Sequence, residues 1–328
     1  MTFPGTWLRR AAPLLAAVLT LTAATPRLQA QEPKAPQATN KPVDFITPHI
    51  SDSYAIDVPY WKPPFVMEVC LGRHEGEVCK PLWEPVHIGG VTLQLSPTKH
   101  VLMLLLAATL AVVVLVGAAR AHVRHTQTVG HPKGAVTGIE ALVLYMRNEI
   151  ILPNVGPHGD GYVPYLLTTF FFILFANLLG LLPYASTATG NISVTAMLAV
   201  IAFLVTEISG IVALGPGYLN TIFYWNKELG PVMRVVLFLV MTPVEIMSKL
   251  TKPFALAVRL FANMTSGHIV VLAFIGLIFT FGSVLIGLAP LAMAVGIMLL
   301  ELLVSFLQAF IFTLLTSSFI GQVREAHH

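Results

Sequence analysis

Apolar runs alternate with short polar joints along the last two thirds of the chain, which is typical of a protein that crosses a membrane several times. Three runs have the roughly 20 residues that a helix needs to cross a hydrocarbon core about 30 Å thick. They are residues 100–119, 165–184 and 192–214. Between the first two runs, the segment 138–152 is interrupted by Glu140, Arg147 and Glu149. This pattern predicts an amphipathic helix at the membrane interface and not a further span.

The C-terminal third is predicted to form two helices that are too long for a simple upright span. Residues 232–278 have a near-continuous helical pattern, which at about 1.5 Å per residue would be roughly 70 Å long. Pro243 and Pro253 permit kinks without forcing separate helices. The segment either breaks into two spans or lies tilted and forms a hairpin with residues 284–320. The hairpin accounts for the charges along the segment, because one of its faces can turn toward another protein.

These elements predict an all-α integral membrane protein with about five membrane helices and one interfacial amphipathic helix. The joint after the first span is rich in Lys and Arg, whereas residues 185–191 carry no charge. By the positive-inside rule, the first joint is cytoplasmic and the second is external. The predicted organisation is therefore an exported segment over 31–97, a membrane domain over 98–321 and a cytoplasmic tail over 322–328.

The first 30 residues have the pattern of a cleaved secretory signal. Arg9 and Arg10 precede a short apolar run, and small residues continue up to Ala30. A short first membrane anchor and a twin-arginine export signal are the alternatives. The exported segment contains both cysteines, Cys70 and Cys79. Because disulfides persist outside the cytoplasm, a bridge that closes a small hairpin is favoured over two free thiols.

Composition excludes several classes of function. With 55% hydrophobic and 11% charged residues and a mean hydropathy of +0.77, the 328-residue chain is too apolar for a soluble globular domain. The formal net charge is +3, and no basic stripe alternates with aromatic residues, so nucleic-acid binding is not expected. The sequence contains no Gly-rich phosphate loop, metal-ligand spacing or nucleophile elbow. No cofactor and no metal are therefore expected.

Charged and titratable residues within the apolar C-terminal helices are the strongest candidates for function. Arg259 lies in mid-helix, where a charge costs at least about 2.5 kcal/mol in a bilayer. At about 100° per residue it shares a polar stripe with other residues of the same helix, namely Ser248, Lys252, Asn263 and Ser266. His268 lies on nearly the opposite side, and Glu301 shares a face of the last helix with Gln308. His268 and Glu301 on neighbouring helices would form a proton relay, or alternatively a structural ion pair.

Two long stretches resemble subunit a of the F-type ATP synthase. They are "SKLTKPFALAVRLFANMTSGHIV" and, from Glu301, "ELLVSFLQAFIFTLLT". The stretches "LSPTKH", "FFFILFANLLGLLPY" and "TGNISVTAMLA" are similar to the earlier parts of that family. The resemblance covers roughly residues 95–322. It implies a non-catalytic stator subunit whose last two helices pack against a rotating ring of c subunits, beside the subunit b peripheral stalk, in a bacterial plasma (inner) membrane.

The resemblance also implies roles for single residues. Arg259 matches the family's essential arginine, which would discharge the carboxylates of the rotor and block a leak between two offset half-channels. The residues of the external half-channel would be His268, Glu301, Asn263, Asn177 and Gln308, and those of the cytoplasmic half-channel Glu245 and Ser248. Glu207 and Lys252 receive no definite role.

The chain also departs from the family pattern. Some members carry aspartates where this chain has Gly180 and Ala185, so the external path must use other groups. A His/Glu relay favours protons over Na⁺ as the transported ion. The alternative function from another class is a self-contained proton-coupled secondary transporter, which would also hold charges at mid-membrane. The internal repeats that are usual in such transporters are not found here.

Overall fold

The computed structural model describes most of the chain beyond residue 52. The described residues are 53–59, 66–75, 78–84, 86–88, 91–93, 96–128, 135–182, 187–223, 230–281 and 284–325. The predicted signal peptide over 1–30 lies outside these residues, as do Ala185 and the last three residues of the predicted tail.

Three short antiparallel hairpins precede the first membrane helix. Strand β1 (Ala55–Pro59) pairs with β2 (Val66–Cys70), β3 (Arg73–Glu75) pairs with β4 (Val78–Lys80), and β5 (Val86–Ile88) pairs with β6 (Val91–Leu93). A disulfide joins Cys70 at the end of β2 to Cys79 in β4, with Cα atoms 5.7 Å apart. That separation lies within the range that disulfides span. The bridge therefore links the first hairpin to the second.

Helices make up the rest of the described chain. In chain order they are α1 (Lys99–Thr128), α2 (Ala135–Tyr145), a π-helical turn (Met146–Ile151), α3 (Leu152–Val155), α4 (Val163–Gly180), α5 (Ile192–Leu214), α6 (Tyr218–Ile222), α7 (Pro231–Phe281) and α8 (Val284–Glu325). Five helical stretches in the described chain are long and apolar enough to cross a membrane. The protein is thus a multi-pass, all-α integral membrane protein, as the apolar pattern predicts. The second span, predicted over residues 165–184, ends earlier than predicted, because α4 stops at Gly180.

Helix α4 lies at the centre of the helical part, and α7 lies at its edge. In the most apolar stretch of each helix, 67% of α4 is buried within the protein, against 11% of α7. The core around α4 contains Phe170, Ile173 and, from α8, Phe312, all fully buried. Phe170 also contacts Phe171 edge to face, with ring centroids 5.1 Å apart. Because α7 buries so little, most of its surface remains for contact with lipid or with another protein.

The last two helices form the long hairpin that the sequence predicts. Helix α7 has 51 residues and α8 has 42 residues, so at about 1.5 Å per residue they are roughly 77 and 63 Å long. Pro243 and Pro253 lie inside α7, and Pro290 lies inside α8, without ending either helix. The two helices pack along each other, and both also contact α5.

The predicted interfacial segment folds as α2, the π-helical turn and α3, and hydrogen bonds join it to the end of α8. Arg324 donates to the carbonyl oxygens of Val155 at 2.8 Å and Pro157 at 2.7 Å. Gly321 permits this approach, because a Cβ at that position would lie 1.9 Å from the Asn154 carbonyl oxygen. The contact joins two parts of the chain that are 169 residues apart.

Candidate functional site

Arg259 lies on the surface of α7 beside an open groove between α7 and α8. The groove has a volume of ≈ 410 Å³ and is lined by Ser248 and Lys252 of α7 and by Leu315 and Phe319 of α8, among others. Among the described residues, none forms a hydrogen bond or an ion pair with the Arg259 guanidinium. A structural pairing of Arg259 with a carboxylate such as Glu301 therefore has no support in the described contacts.

One turn further along α7, a side-chain hydrogen bond connects the two long helices. Asn263 donates from Nδ2 to Oε1 of Gln308, with a distance of 2.9 Å. The amide of Gln308 is buried, and its Nε2 finds no hydrogen-bond partner within the described chain. Two residues of the predicted external path are thus in contact, and one of them retains an unused donor.

A buried row of polar side chains, here called the α8 polar seam, consists of Glu301, Ser305 and Gln308. Spacings of four and three residues place them on one side of the helix. Glu301 Oε1, Ser305 Oγ and Gln308 Nε2 are all buried, with no hydrogen-bond partner in the part of the chain that the structure describes. Each such atom costs about 1–3 kcal/mol if it stays unsatisfied, and buried polar groups are normally paired with protein or ordered water. The seam therefore holds three buried polar atoms that the described chain leaves without a partner.

Asn177 brings the central helix α4 to this seam. Its side chain is fully buried, and Nδ2 donates to the backbone carbonyl of Ser305 at 3.4 Å. Its Oδ1 accepts a hydrogen bond from the hydroxyl of Thr189 at 2.7 Å. Thr189 belongs to the 3₁₀ turn Ala188–Gly190, just before α5. Polar groups from α4, this turn and α8 thus meet at one place.

His268 and Glu301 lie on neighbouring helices, although no hydrogen bond joins them in the described residues. The imidazole Nε2 of His268 pairs with the hydroxyl of Thr187, and the ring also bonds to the backbone of Gly180. The Glu301 carboxylate packs against Gly267, where a Cβ would lie only 1.7 Å from Oε1. The described contacts thus join His268 to Thr187, and Glu301 to the helix backbone beside His268, and a relay between the two side chains stays a prediction.

The glycine at position 180 has a structural reason. A Cβ there would lie 2.3 Å from the hydroxyl oxygen of Thr187, so any larger side chain would displace the threonine from His268. Thr187 is itself buried. Gly180 therefore leaves space for a hydroxyl that contacts the imidazole.

A second cavity lies on the N-terminal side of Arg259 along α7. It has a volume of ≈ 40 Å³ and is lined by two carboxylates, Glu207 and Glu245, and by two ammonium groups, Lys249 and Lys252. Lys252 also lines the Arg259 groove, as do Leu256 and Phe319. Polar groups therefore extend along α7 from Glu245 to the groove at Arg259.

The two ammonium groups of this cavity have partners. Lys252 donates to Oε1 of Gln322 at 3.0 Å. Lys249 donates to both carboxylate oxygens of Glu207, at 3.1 and 3.3 Å, and to the hydroxyl of Tyr218. The Tyr218 hydroxyl also donates to Glu207. Burial, and after it the hydrogen bond with Glu207, raises the pKa of Tyr218 well above its usual range, so the phenol remains a donor at neutral pH.

Comparisons with known proteins agree with the resemblance that the motifs indicate. The family model described as "ATP synthase A chain" matches residues 101–321. A protein named ATP synthase subunit a from Anaeromyxobacter sp. (strain Fw109-5) is 42% identical over 85% of this chain and 70% of its own length. A protein of the same name from Myxococcus xanthus (strain DK1622) is 41% identical over 87% of this chain and 91% of its own length. The chain belongs to the ATP synthase subunit a family.

Within this member of the subunit a family, the structure divides the sequence-predicted residues into two groups on either side of Arg259. One group contains Asn177, Asn263, His268, Glu301 and Gln308, and the other contains Glu245, Ser248 and Lys252.

Sequence reasoning missed four residues that contact these groups, namely Thr187, Tyr218, Gly267 and Ser305. The spacing from Glu301 and Gln308 could have indicated Ser305. The other three depend on contacts between elements, for which the local pattern carries no signal.

Proposed function

We propose that the protein is the stator subunit of the Fo sector of an F-type ATP synthase, and that it passes protons to and from the carboxylates of a c-ring. Membership of the subunit a family supports the complex. The observation that carries the mechanism is the exposed Arg259, which has no carboxylate partner among the described residues and lies between two sets of polar side chains.

The chemistry of the rotor gives this arginine a role. A carboxylate that moves through lipid must be neutral, because a bare charge there is costly. A cation within a few Å favours the ionised form, so a rotor carboxylate would release its proton on arriving at Arg259. Arginine suits this task because its guanidinium stays protonated where a desolvated lysine can lose its proton. The same fixed charge would oppose a direct leak of protons past the groove.

The external half-channel would follow the α8 polar seam. Protons would pass Glu301 and His268, and the amides of Asn177, Asn263 and Gln308 would hold water along the remaining route. The unpartnered buried atoms Glu301 Oε1 and Gln308 Nε2 support this route, because water is the partner that such atoms normally find.

The cytoplasmic half-channel would use the second cavity. Glu245 lines that cavity, and Ser248 lines the Arg259 groove. Lys252 lines both the cavity and the groove, so the two spaces adjoin. Water and protons would pass from one to the other there. Cleavage of residues 1–30, an external position for 31–97 and a cytoplasmic C-terminus remain part of this proposal, as does the bacterial plasma membrane.

The c-ring would bind the exposed surface of the long hairpin. Large apolar side chains are exposed on both helices near the level of Arg259 and beyond, for example Phe254 at 67%, Leu299 at 65% and Leu303 at 59%. An exposed arginine within such a surface fits a partner that is apolar except for one carboxylate per subunit. The peripheral-stalk subunit b and the remaining subunits of the complex would bind elsewhere on the protein.

Substitution of Arg259 tests the proposal. Arg259→Ala is expected to abolish ATP-driven proton pumping, and Arg259→Lys is expected to fail as well, because a compact ammonium lacks the planar fork and can be deprotonated. Proton flux is measured in inverted membrane vesicles and normalised to the amount of assembled complex. Arg147→Lys is the matched control. Arg147 belongs to the interfacial segment and pairs with Asp160 at 2.8 Å, so this substitution should leave the flux unchanged.

Normal coupled pumping by Arg259→Lys would overturn the mechanism. A purely structural cation would instead let the lysine variant work and would mainly reduce assembly in the alanine variant. Purification separates the proposal from a self-contained transporter, because a stator should co-purify with a ring of small two-helix subunits and a transporter should not.

A further inference from the structure

The ion pair between Glu207 of α5 and Lys249 of α7 has no part in the proposed proton route. Its side chains are largely withdrawn from the surface, with 12% of Lys249 and 19% of Glu207 exposed. The Lys249 ammonium also lies over the Tyr218 ring, 4.4 Å from its centroid. A cation–π contact, two contacts with a carboxylate and one with a phenol therefore hold one ammonium group in a fixed position.

The Tyr218 ring, which contacts the Lys249 ammonium, is itself held in one position by close packing. The ring lies against Gly210 of α5, where a Cβ would come within 2.6 Å of it. Tyr218 is only 4% exposed. The short helix α6 is thus packed so that its first residue contacts both Glu207 and Lys249.

Lys249 has a second carboxylate within reach on its own helix. Glu245 lies four residues earlier on α7, and a Glu followed by Lys at this spacing is the favourable order for an ion pair along a helix. Glu245, Glu207 and Lys249 all line the same cavity. Nevertheless, in the described residues Glu245 forms no hydrogen bond or ion pair, because Lys249 is turned toward α5.

We propose that Glu207 and Tyr218 are positioning residues that hold Lys249 away from Glu245, so that Glu245 stays free to exchange protons with the cavity. The inference rests on the proposed function, and it assigns a role to three residues on three helices. Both carboxylate oxygens of Glu207 already have partners in the Lys249 ammonium and the Tyr218 hydroxyl.

Without Glu207, Lys249 would turn to Glu245. An ammonium within about 4–6 Å favours the ionised carboxylate by about tenfold or more, so Glu245 would take up protons about tenfold less often at a given pH. Glu207→Gln is therefore expected to lower proton flux per assembled complex about tenfold. Removal of the ammonium in the same chain, as Glu207→Gln with Lys249→Gln, is expected to restore most of that flux.

The experiment compares these two variants with the unaltered chain in inverted vesicles, by ATP-driven proton uptake normalised to assembled complex. Glu149→Gln, an exposed carboxylate of the interfacial segment, is the matched control and should not change the flux. Recovery in the double variant supports the proposal. An equally slow double variant would mean that Glu207 carries protons itself, and an unchanged flux with reduced assembly would mean a structural pair; either result overturns the proposal.

A second variant covers the case in which Glu207→Gln fails to assemble. Tyr218→Phe keeps the buried ring and removes one hydrogen bond to Lys249, so the expected loss of flux is smaller, on the order of threefold, and Lys249→Gln should reverse it. Absence of that reversal also overturns the proposal. Failure of the proposed function is recognised separately, because it would leave Arg259→Lys and Glu245→Gln with normal pumping in otherwise unaltered chains.

Discussion

Gly267→Ala is expected to impair the external proton route by moving a carboxylate. The glycine lies directly under the Glu301 side chain, which packs from α8 onto the backbone of α7. A methyl group at this position would meet Oε1 at 1.7 Å, Cδ at 2.6 Å and Cγ at 2.9 Å. Three side-chain atoms are thus closer than Cβ contacts permit, so Glu301 must adopt a new conformation.

The geometry also indicates the size of the effect. Oε1 has to retreat by at least about 1.3 Å to reach the 3.0 Å that Cβ contacts keep. A misplacement of about 1 Å at a reacting group can cost on the order of 100-fold in rate. The expected loss of proton flux therefore lies between about 10- and 100-fold. The cost to folding should stay within the range of about 1–3 kcal/mol for an overpacked site, because the displaced group is the end of a flexible side chain.

Proton uptake into inverted vesicles, normalised to assembled complex, measures this loss. Gly296→Ala is the control, because that glycine lies on the same helix as Glu301 and a Cβ there meets no atom within 4 Å. Glu301→Asp in the Gly267→Ala background shortens the side chain by one methylene group and should recover part of the flux. Equal flux in the two alanine variants would refute the reasoning, since it would show that the position of the Glu301 carboxylate does not limit proton transfer.

Three further predictions follow from single contacts. Glu301→Gln should slow proton uptake more at high external pH, where protons are scarce, than at low pH; an equal loss at every pH would indicate a structural role. Cys70 and Cys79 should be recovered as one linked peptide by mass mapping without reduction, and two free thiols would contradict this. Asn191→Ala should destabilise the protein by about 0.5–2 kcal/mol in a thermal melt, because the Asn191 side chain caps α5 by accepting from the Ser193 N–H at 2.9 Å; Asn191→Asp should retain most of the stability.

The long helices could be predicted because bilayer thickness and helical rise together require a run of apolar residues that is visible in the sequence. The same periodicity places Arg259 and Asn263 on one stripe of α7, and Glu301 and Gln308 on one face of α8. The hairpins over residues 55–93 could not be predicted in the same way. Their strands have only three to five residues, which is too short for an alternating pattern to be distinguished from a polar loop.

Partners that lie on different helices could not be predicted either. Glu207 is visible in the sequence as an unexplained charge in an apolar run, but its partners Tyr218 and Lys249 lie 11 and 42 positions away on other elements. Thr187 is likewise 81 positions from His268. Such contacts depend on how the helices pack, and a periodicity of 3.6 residues describes only one helix at a time.

The hydrogen bonds between α8 and the interfacial segment have a consequence for the order in which contacts form during synthesis. The carbonyl groups of Val155 and Pro157 accept hydrogen bonds from the guanidinium of Arg324. During synthesis, these two carbonyl groups leave the ribosome long before Arg324 does. During that interval these carbonyl groups must rely on water or lipid head groups as partners. The contact between this segment and α8 can therefore form only after α8 has been made, so it is a late step in the packing of the helices.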